Sequence, residues 1–72
     1  MSFFDYMMQN HLCGEDRFAD LARDMSNDVN FPHTDDYDEA YDYLVYDCGA
    51  SSACVDVFKE SWERYERTVH RV

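Results

Sequence analysis

The sequence predicts an all-α fold, a compact bundle of four to five short helices. Hydrophobic residues make up 46% of the 72 residues and aromatics 17%, which is enough apolar material for a core despite a formal net charge of -10. Two glycines and one proline are too few for the frequent turns of a β-sandwich or barrel. Apolar residues instead recur three and four positions apart, as on one helix face. We expect a single domain over residues 1–72, because a second core requires a longer chain.

The first two helices are each predicted from a cap and an apolar face. Ser2 followed by Asp5 resembles a capping box and opens a helix over Phe3–His11. Its apolar face is expected to contain Phe3, Phe4, Met7 and Met8. Asp16 caps a second helix over Arg17–Ser26. The apolar residues of that helix are Phe18, Leu21, Ala22 and Met25.

A loop rich in Asn and Asp precedes the third helix. Pro32 disfavours a helical conformation for the residue before it, and Phe31 is expected to reach the core from this loop. Thr34 or Asp35 then caps a helix over Asp36–Asp47. Its apolar positions are Tyr37, Ala40, Tyr41, Leu44 and Val45.

The last helix carries the longest apolar seam. Cys48 and Gly49 end the third helix, a short helical turn is expected at Ala50–Ala53, and the final helix runs over Cys54–His70. Its seam consists of Val55, Phe58, Trp62, Tyr65 and Val69. A coiled coil is the rival interpretation. We prefer the bundle, because barely two heptads are present and the other helices also need a partner for their apolar faces.

Negative charge is concentrated in the middle of the chain. Residues 24–58 contain nine carboxylates and no Lys or Arg. Direct binding to nucleic acid requires a basic patch, and none of useful size is present, so we expect no direct nucleic-acid binding. The expected partner is a basic protein surface. Arg64, Arg67 and Arg71 are expected to pair with Glu60, Glu63 or the acidic middle of the chain.

The sequence also gives expectations about location. It shows no secretory signal and no apolar run approaching the roughly 18 residues that span a bilayer, so we expect a cytoplasmic protein without membrane contact. Three cysteines are an odd number, which favours reduced and mostly buried thiols over a disulfide framework. A monomer is expected.

Five short stretches, taken in order, resemble the YozE family of small bacterial proteins. They are Ser2–Met7, Arg17–Ala19, Asp28–Pro32, Asp36–Glu39 with Tyr43–Leu44, and Phe58–Tyr65. The resemblance extends over nearly the whole chain. It implies a bundle of four or five helices similar to the sterile alpha motif, in a cytoplasmic protein of Gram-positive bacteria. It implies no particular biochemical role.

The titratable residues do not form a recognisable catalytic or metal motif. The candidate metal ligands are His11, Cys13, His33, Cys48, Cys54 and His70. They include no C-x-x-C or H-x-x-x-H pair, which would hold two ligands together. No glycine-rich oxyanion loop accompanies a Cys and His pair. Loose binding of a divalent ion by the carboxylates is less favoured than a solvated helix face. We therefore predict a non-enzymatic protein without a metal or cofactor.

The candidate interaction site lies on the third helix and the residues before it. It comprises Asp35, Asp36, Asp38, Glu39, Asp42, Tyr43, Tyr46 and Asp47. Tyr43 and Tyr46 lie off the apolar stripe and are expected to be exposed beside the acids, a mixture typical of protein interfaces. The sequence therefore predicts an acidic protein-interaction module. The alternative is an acidic inhibitor that mimics nucleic acid and blocks a DNA- or RNA-binding protein.

Overall fold

A computed structural model describes residues 1–69, and these residues form four helices around one core. The first two helices are α1 (Phe3–Asn10) and α2 (Arg17–Asn27). Helix α3 (Tyr37–Asp42) continues directly into one π-helical turn, Tyr43–Asp47, and α4 (Ser52–Val69) is the longest element. No strand occurs in residues 1–69, so the predicted all-α bundle is confirmed.

Side-chain caps determine where α1 and α2 begin. The Ser2 hydroxyl accepts a hydrogen bond from the Asp5 backbone N–H at 3.2 Å. The Asp16 carboxylate accepts one from the Ala19 backbone N–H at 3.0 Å. Each satisfies a backbone donor that has no partner within its helix. Both predicted caps are confirmed, and the far ends of these helices differ from the prediction by one residue.

The buried face of α1 differs from the predicted one. Phe3, Tyr6 and Met7 are buried, whereas Phe4 and Met8 are only partly buried. Tyr6 is drawn inward because its ring packs against Tyr65 of α4, with the two ring centroids 5.6 Å apart. Phe3, Phe4, Met7 and Met8 were all expected on the core face, so half of that set lies at its margin.

The loop between α2 and α3 delivers Phe31 to the core. The Phe31 backbone N–H donates to the Asp28 carbonyl at 3.1 Å, which closes a turn. Phe31 is only 4% exposed, as the sequence predicted. The predicted cap of α3 is wrong. Asp36 rather than Thr34 or Asp35 caps it, because the Asp36 carboxylate accepts from the Asp38 backbone N–H at 3.0 Å.

The connection into α4 is simpler than predicted. No separate helical turn forms at 50–53, because α4 already starts at Ser52 as one helix. Gly49 adopts a left-handed backbone with φ of 63°, which turns the chain after the π-helical turn at low steric cost. The Ser51 hydroxyl then accepts from the Cys54 backbone N–H at 3.2 Å. The predicted end of this helix at His70 lies outside the described residues.

The seam of α4 is buried at its centre and open at its ends. Phe58, Trp62 and Tyr65 are buried, as predicted, and Ser61 is buried beside them. Val55 is only partly buried and Val69 is 37% exposed, so these two predicted core positions lie at the edges. The apolar seam therefore contributes to the core over about two helical turns.

An aromatic cluster fills the core between α1 and α4. The Phe3 ring stacks on Trp62 with centroids 4.6 Å apart, and meets Phe58 and Tyr65 edge-on at 5.4 and 5.6 Å. The buried Tyr65 hydroxyl donates to the Met1 carbonyl at 2.6 Å, so its polar atom is satisfied. The cluster thus joins α1 to α4.

The cysteines are not the buried core residues that the sequence analysis predicted. Cys13 and Cys48 are exposed, and Cys54 is partly buried. All three lie near helix ends or in connections, where packing is less complete than in helix interiors. All three are free thiols.

Replacing Trp62 tests the aromatic cluster. We expect Trp62→Ala to lower the free energy of unfolding by about 3 to 5 kcal/mol, because it removes a large buried ring and leaves a cavity. The measurement is urea unfolding followed by circular dichroism. Val29→Ala is the control, because Val29 is 92% exposed and should change stability by less than about 0.5 kcal/mol. An equally small effect at Trp62 would contradict the assignment of this cluster as the core.

Candidate protein-interaction site

Five of the eight predicted site residues lie around one open depression. Its volume is about 420 Å³, and the turn before α3 forms its other wall. We call it the acidic shelf, and it is lined by Asn30, Pro32, Glu39, Asp42, Tyr43, Tyr46 and Asp47. Asn30 and Pro32 were not predicted from the sequence, because they lie in the loop before α3 and meet the other five residues only in the fold.

The remaining three predicted residues lie outside the shelf. Asp35, Asp36 and Asp38 are exposed, but none lines the depression. Asp36 has a structural role, because its carboxylate caps α3. The eight residues therefore do not form one continuous surface of equivalent groups.

The two site tyrosines have different environments. Tyr46 is 78% exposed, as predicted. Tyr43 was expected to be exposed, but it is partly buried. The turn after α2 covers one side of its ring. Its ring lies edge-on to Phe31, with centroids 5.4 Å apart, and its hydroxyl donates to the Asp28 carboxylate at 2.6 Å. Only Tyr46 thus presents a largely free ring on the shelf.

Asp28 organises the turn that supports the shelf. One carboxylate oxygen accepts from the Asn30 backbone N–H at 3.0 Å, and the other accepts from the Tyr43 hydroxyl and, at 3.5 Å, from the Cys48 thiol. The Tyr43 hydrogen bond, followed by that of Asn30, lowers the pKa of Asp28. The same bond raises the pKa of Tyr43. Asp28 was missed as a functional residue, although an Asp two residues before Asn30 is typical of a turn.

The ion pairs seen within residues 1–69 lie on the side of the molecule formed by α2 and α4. Arg17 pairs with Glu60 at 2.7 Å, which links these two helices. The other pairs lie within a helix: Arg23–Asp20 at 2.7 Å, Arg64–Glu60 at 4.0 Å and Arg67–Glu63 at 3.7 Å. The predicted pairing of Arg64 and Arg67 is confirmed, whereas Arg71 lies outside the described residues. Across residues 1–69, no ion pair involves a carboxylate of residues 24–58.

The carboxylates at the end of α3 are placed unfavourably for stability. Asp47 ends the π-helical turn, and neither this turn nor α3 has a basic residue in its last turn. A negative charge there faces the negative end of the helix dipole. Asp38 and Asp42 are one helical turn apart and repel each other. Asp42 and Asp47 therefore oppose the stability of this helical segment, whereas Asp38 and Glu39 lie in its first turn, at the favourable end of the dipole.

The histidines and thiols that the structure describes do not assemble into a metal site. Over the described part of the chain, no group of three or more His, Cys, Asp or Glu side chains is arranged to hold a metal ion. His33 instead stacks on Phe4, with ring centroids 3.9 Å apart, and His11 lies between Tyr6 and Phe18. None of the helices within residues 1–69 is both long and apolar enough to cross a bilayer.

Tyr43→Phe tests the support of the shelf by Asp28. The Tyr43 hydrogen bond lowers the pKa of Asp28, so it stabilises the folded protein at every pH above the ordinary Asp pKa of about 3.9. This stabilisation is lost as the pH falls through the lowered pKa of Asp28. Tyr43→Phe should therefore raise the pKa of Asp28, measured by NMR of the carboxyl carbon. It should also lower the melting temperature at neutral pH, by a difference that shrinks in acid.

Tyr46→Phe is the matched control for this experiment. It removes an equivalent hydroxyl from a largely exposed ring and should leave the titration of Asp28 unchanged. Identical titration curves for Asp28 in the wild type and in Tyr43→Phe would show that the bond does not hold the turn.

Comparisons with known proteins agree with the fold and with the resemblance seen in the sequence. The family model described as YozE SAM-like fold matches residues 2–67. A UPF0346 protein of Bacillus velezensis is 34% identical over 71 residues, which cover 96% of this chain and 95% of that relative. No solved structure matches the chain. Neither the family description nor the name of the relative states an activity. The chain belongs to the YozE SAM-like family.

Proposed function

We propose that this protein is a non-enzymatic interaction module that binds a basic protein surface through the acidic shelf. The proposal depends mainly on one observation, the absence of ion pairs to these acids among the described residues. Nine carboxylates occur in residues 24–58, and within residues 1–69 none of them forms an ion pair. Lys59, which follows this stretch, lies over the Tyr41 ring, with its ammonium 6.0 Å from the centroid. The balancing positive charge is supplied by a partner.

The composition of the shelf supports a protein partner. Tyr46 offers an exposed amphipathic ring, and Pro32 adds apolar surface at the opposite wall. Aromatic residues contribute most of the binding energy at many interfaces, while charges at the rim steer the encounter. Glu39, Asp42 and Asp47 surround the ring with such charges. A partner that presents Lys or Arg around a small apolar contact would complement this surface.

Charge reversal tests this function. We expect Glu39→Lys, Asp42→Lys and Asp47→Lys together, all of which line the shelf, to abolish capture of a basic partner from a lysate of the organism that encodes the chain. The control variant replaces Asp5, Glu15 and Asp56 with Lys. These three residues are exposed and lie off the shelf, and their replacement changes the net charge by the same amount. This control should retain the partner. Capture by the wild type should weaken as salt is raised from low to physiological levels, because exposed charges are screened.

Three results of this experiment would contradict the proposal. Equal loss of the partner in both triple variants would show that net charge, rather than the shelf, drives binding. Capture that does not depend on salt would exclude an electrostatic interface. Displacement of the partner by saturating DNA or RNA would instead favour the alternative, an inhibitor that mimics nucleic acid.

A further inference from the structure

A second concave surface lies beside the shelf, between the end of α2 and the start of α4. It is a cavity of about 240 Å³ that opens to solvent, and we call it the α2–α4 groove. Its apolar lining consists of Leu21, Met25, Phe31, Leu44 and Ala50. A neighbouring cavity of about 210 Å³ shares Leu21, Asp24 and Cys54 with it, so the concave surface continues along α2.

The polar residues of the groove are acidic. Asp24 and Asp28 line it together with the thiols of Cys48 and Cys54. Asp28 accepts three hydrogen bonds, which favour its ionised form, and Asp24 is exposed. In the described part of the chain, no basic side chain pairs with either carboxylate. The groove is therefore a small depression over largely buried apolar side chains, with two negative charges at its edge.

The dimensions of the groove limit what it can hold. Pockets for cofactors and metabolites usually measure about 300 to 1,000 Å³. At about 240 Å³ the groove is smaller than these pockets and suits a side chain from another molecule. The negative edge favours an incoming segment that also carries a cation. Its apolar side chain would cover Leu21 and Met25, while a neighbouring Lys or Arg would reach Asp24 or Asp28.

We propose that the α2–α4 groove receives one aliphatic side chain of a basic segment in the partner protein, with a flanking Lys or Arg at Asp24 and Asp28. This inference rests on the proposed function, because it describes the same partner. It adds a second apolar contact to the one that Tyr46 and Pro32 offer on the shelf. The turn at Asp28 borders both the groove and the shelf. Because the two surfaces are adjacent, one extended segment can contact both.

The native cysteines provide a direct test. Cys48 and Cys54 line the groove, whereas Cys13 is exposed away from it. The full chain is alkylated with N-ethylmaleimide at about pH 8.5, where thiolates form, and each cysteine is followed by mass spectrometry. Two probe peptides are compared, acetyl-Lys-Lys-Gly-Leu-Gly-Lys-Lys-amide and the same peptide with Ser in place of Leu. Both carry the same charge.

The expected result is specific for leucine and for the groove. The leucine peptide should bind about tenfold more tightly than the serine peptide, because it buries one aliphatic side chain. It should slow alkylation of Cys48 and Cys54 but not that of Cys13. If both peptides bind equally in low salt and protect no thiol, the groove is unoccupied and this inference is wrong, while the acidic shelf keeps its proposed function. If neither peptide binds, both proposals fail.

A filled groove provides the second arm of the test. Ala50→Leu adds bulk to the lining and should remove the preference for the leucine peptide, while leaving the weak, salt-sensitive binding of the serine peptide. Val29→Leu enlarges a side chain that is 92% exposed and does not line the groove, and should keep the preference. Circular dichroism checks that both variants fold. If the thiols of the free protein become protected as its own concentration rises, the groove binds a second copy of the chain and the inference is overturned.

Discussion

The position of Phe3 is the constraint on which the rest of the structure depends. Its ring is 1% exposed and contacts Phe58, Trp62 and Tyr65 of α4. Its backbone N–H donates to the Thr34 carbonyl at 3.1 Å, so the same residue also fixes the loop that leads into α3. In a domain this small, a core of aromatic rings buries the most apolar surface per residue. The start of the chain, the loop and the last helix are therefore stabilised together, and α3 is held with its acidic side outward.

Charge is divided between two sides of this bundle. The side formed by α2 and α4 carries the ion pairs, and Arg17 and Arg64 also lie over the Phe18 ring at 4.6 and 4.5 Å. The side formed by α3 carries carboxylates without cations among the described residues. The like charges on α3 oppose folding, and the proposed basic partner would neutralise them. The shelf lies on this side, and the groove adjoins it between the end of α2 and the start of α4. Together they offer both charge and apolar contact.

Local sequence signals predicted the helices, whereas contacts between distant segments decided the details. Ser2 and Asp16 act within one turn of themselves, and both caps were predicted correctly. Tyr6 was missed because its burial depends on Tyr65, which is far away in the sequence. Tyr43 lies three residues after Ala40, at the edge of the apolar stripe of α3. Its partial burial was missed because it depends on the turn at Asp28, a distant part of the sequence. The sequence also identified the acidic residues, but it did not separate Asp36, which caps a helix, from Asp42 and Asp47, which do not.

The claim that the shelf serves binding rather than folding is tested most directly by neutralising its two least favourable charges. The measurement is the free energy of unfolding of the double variant Asp42→Asn and Asp47→Asn in low salt. Our account predicts a value equal to that of the wild type or higher by a few tenths of a kcal/mol, because repulsion and the unfavourable dipole contact are relieved. A value lower by more than about 1 kcal/mol, beyond what a surface substitution usually costs, would contradict it and show that these carboxylates stabilise the fold.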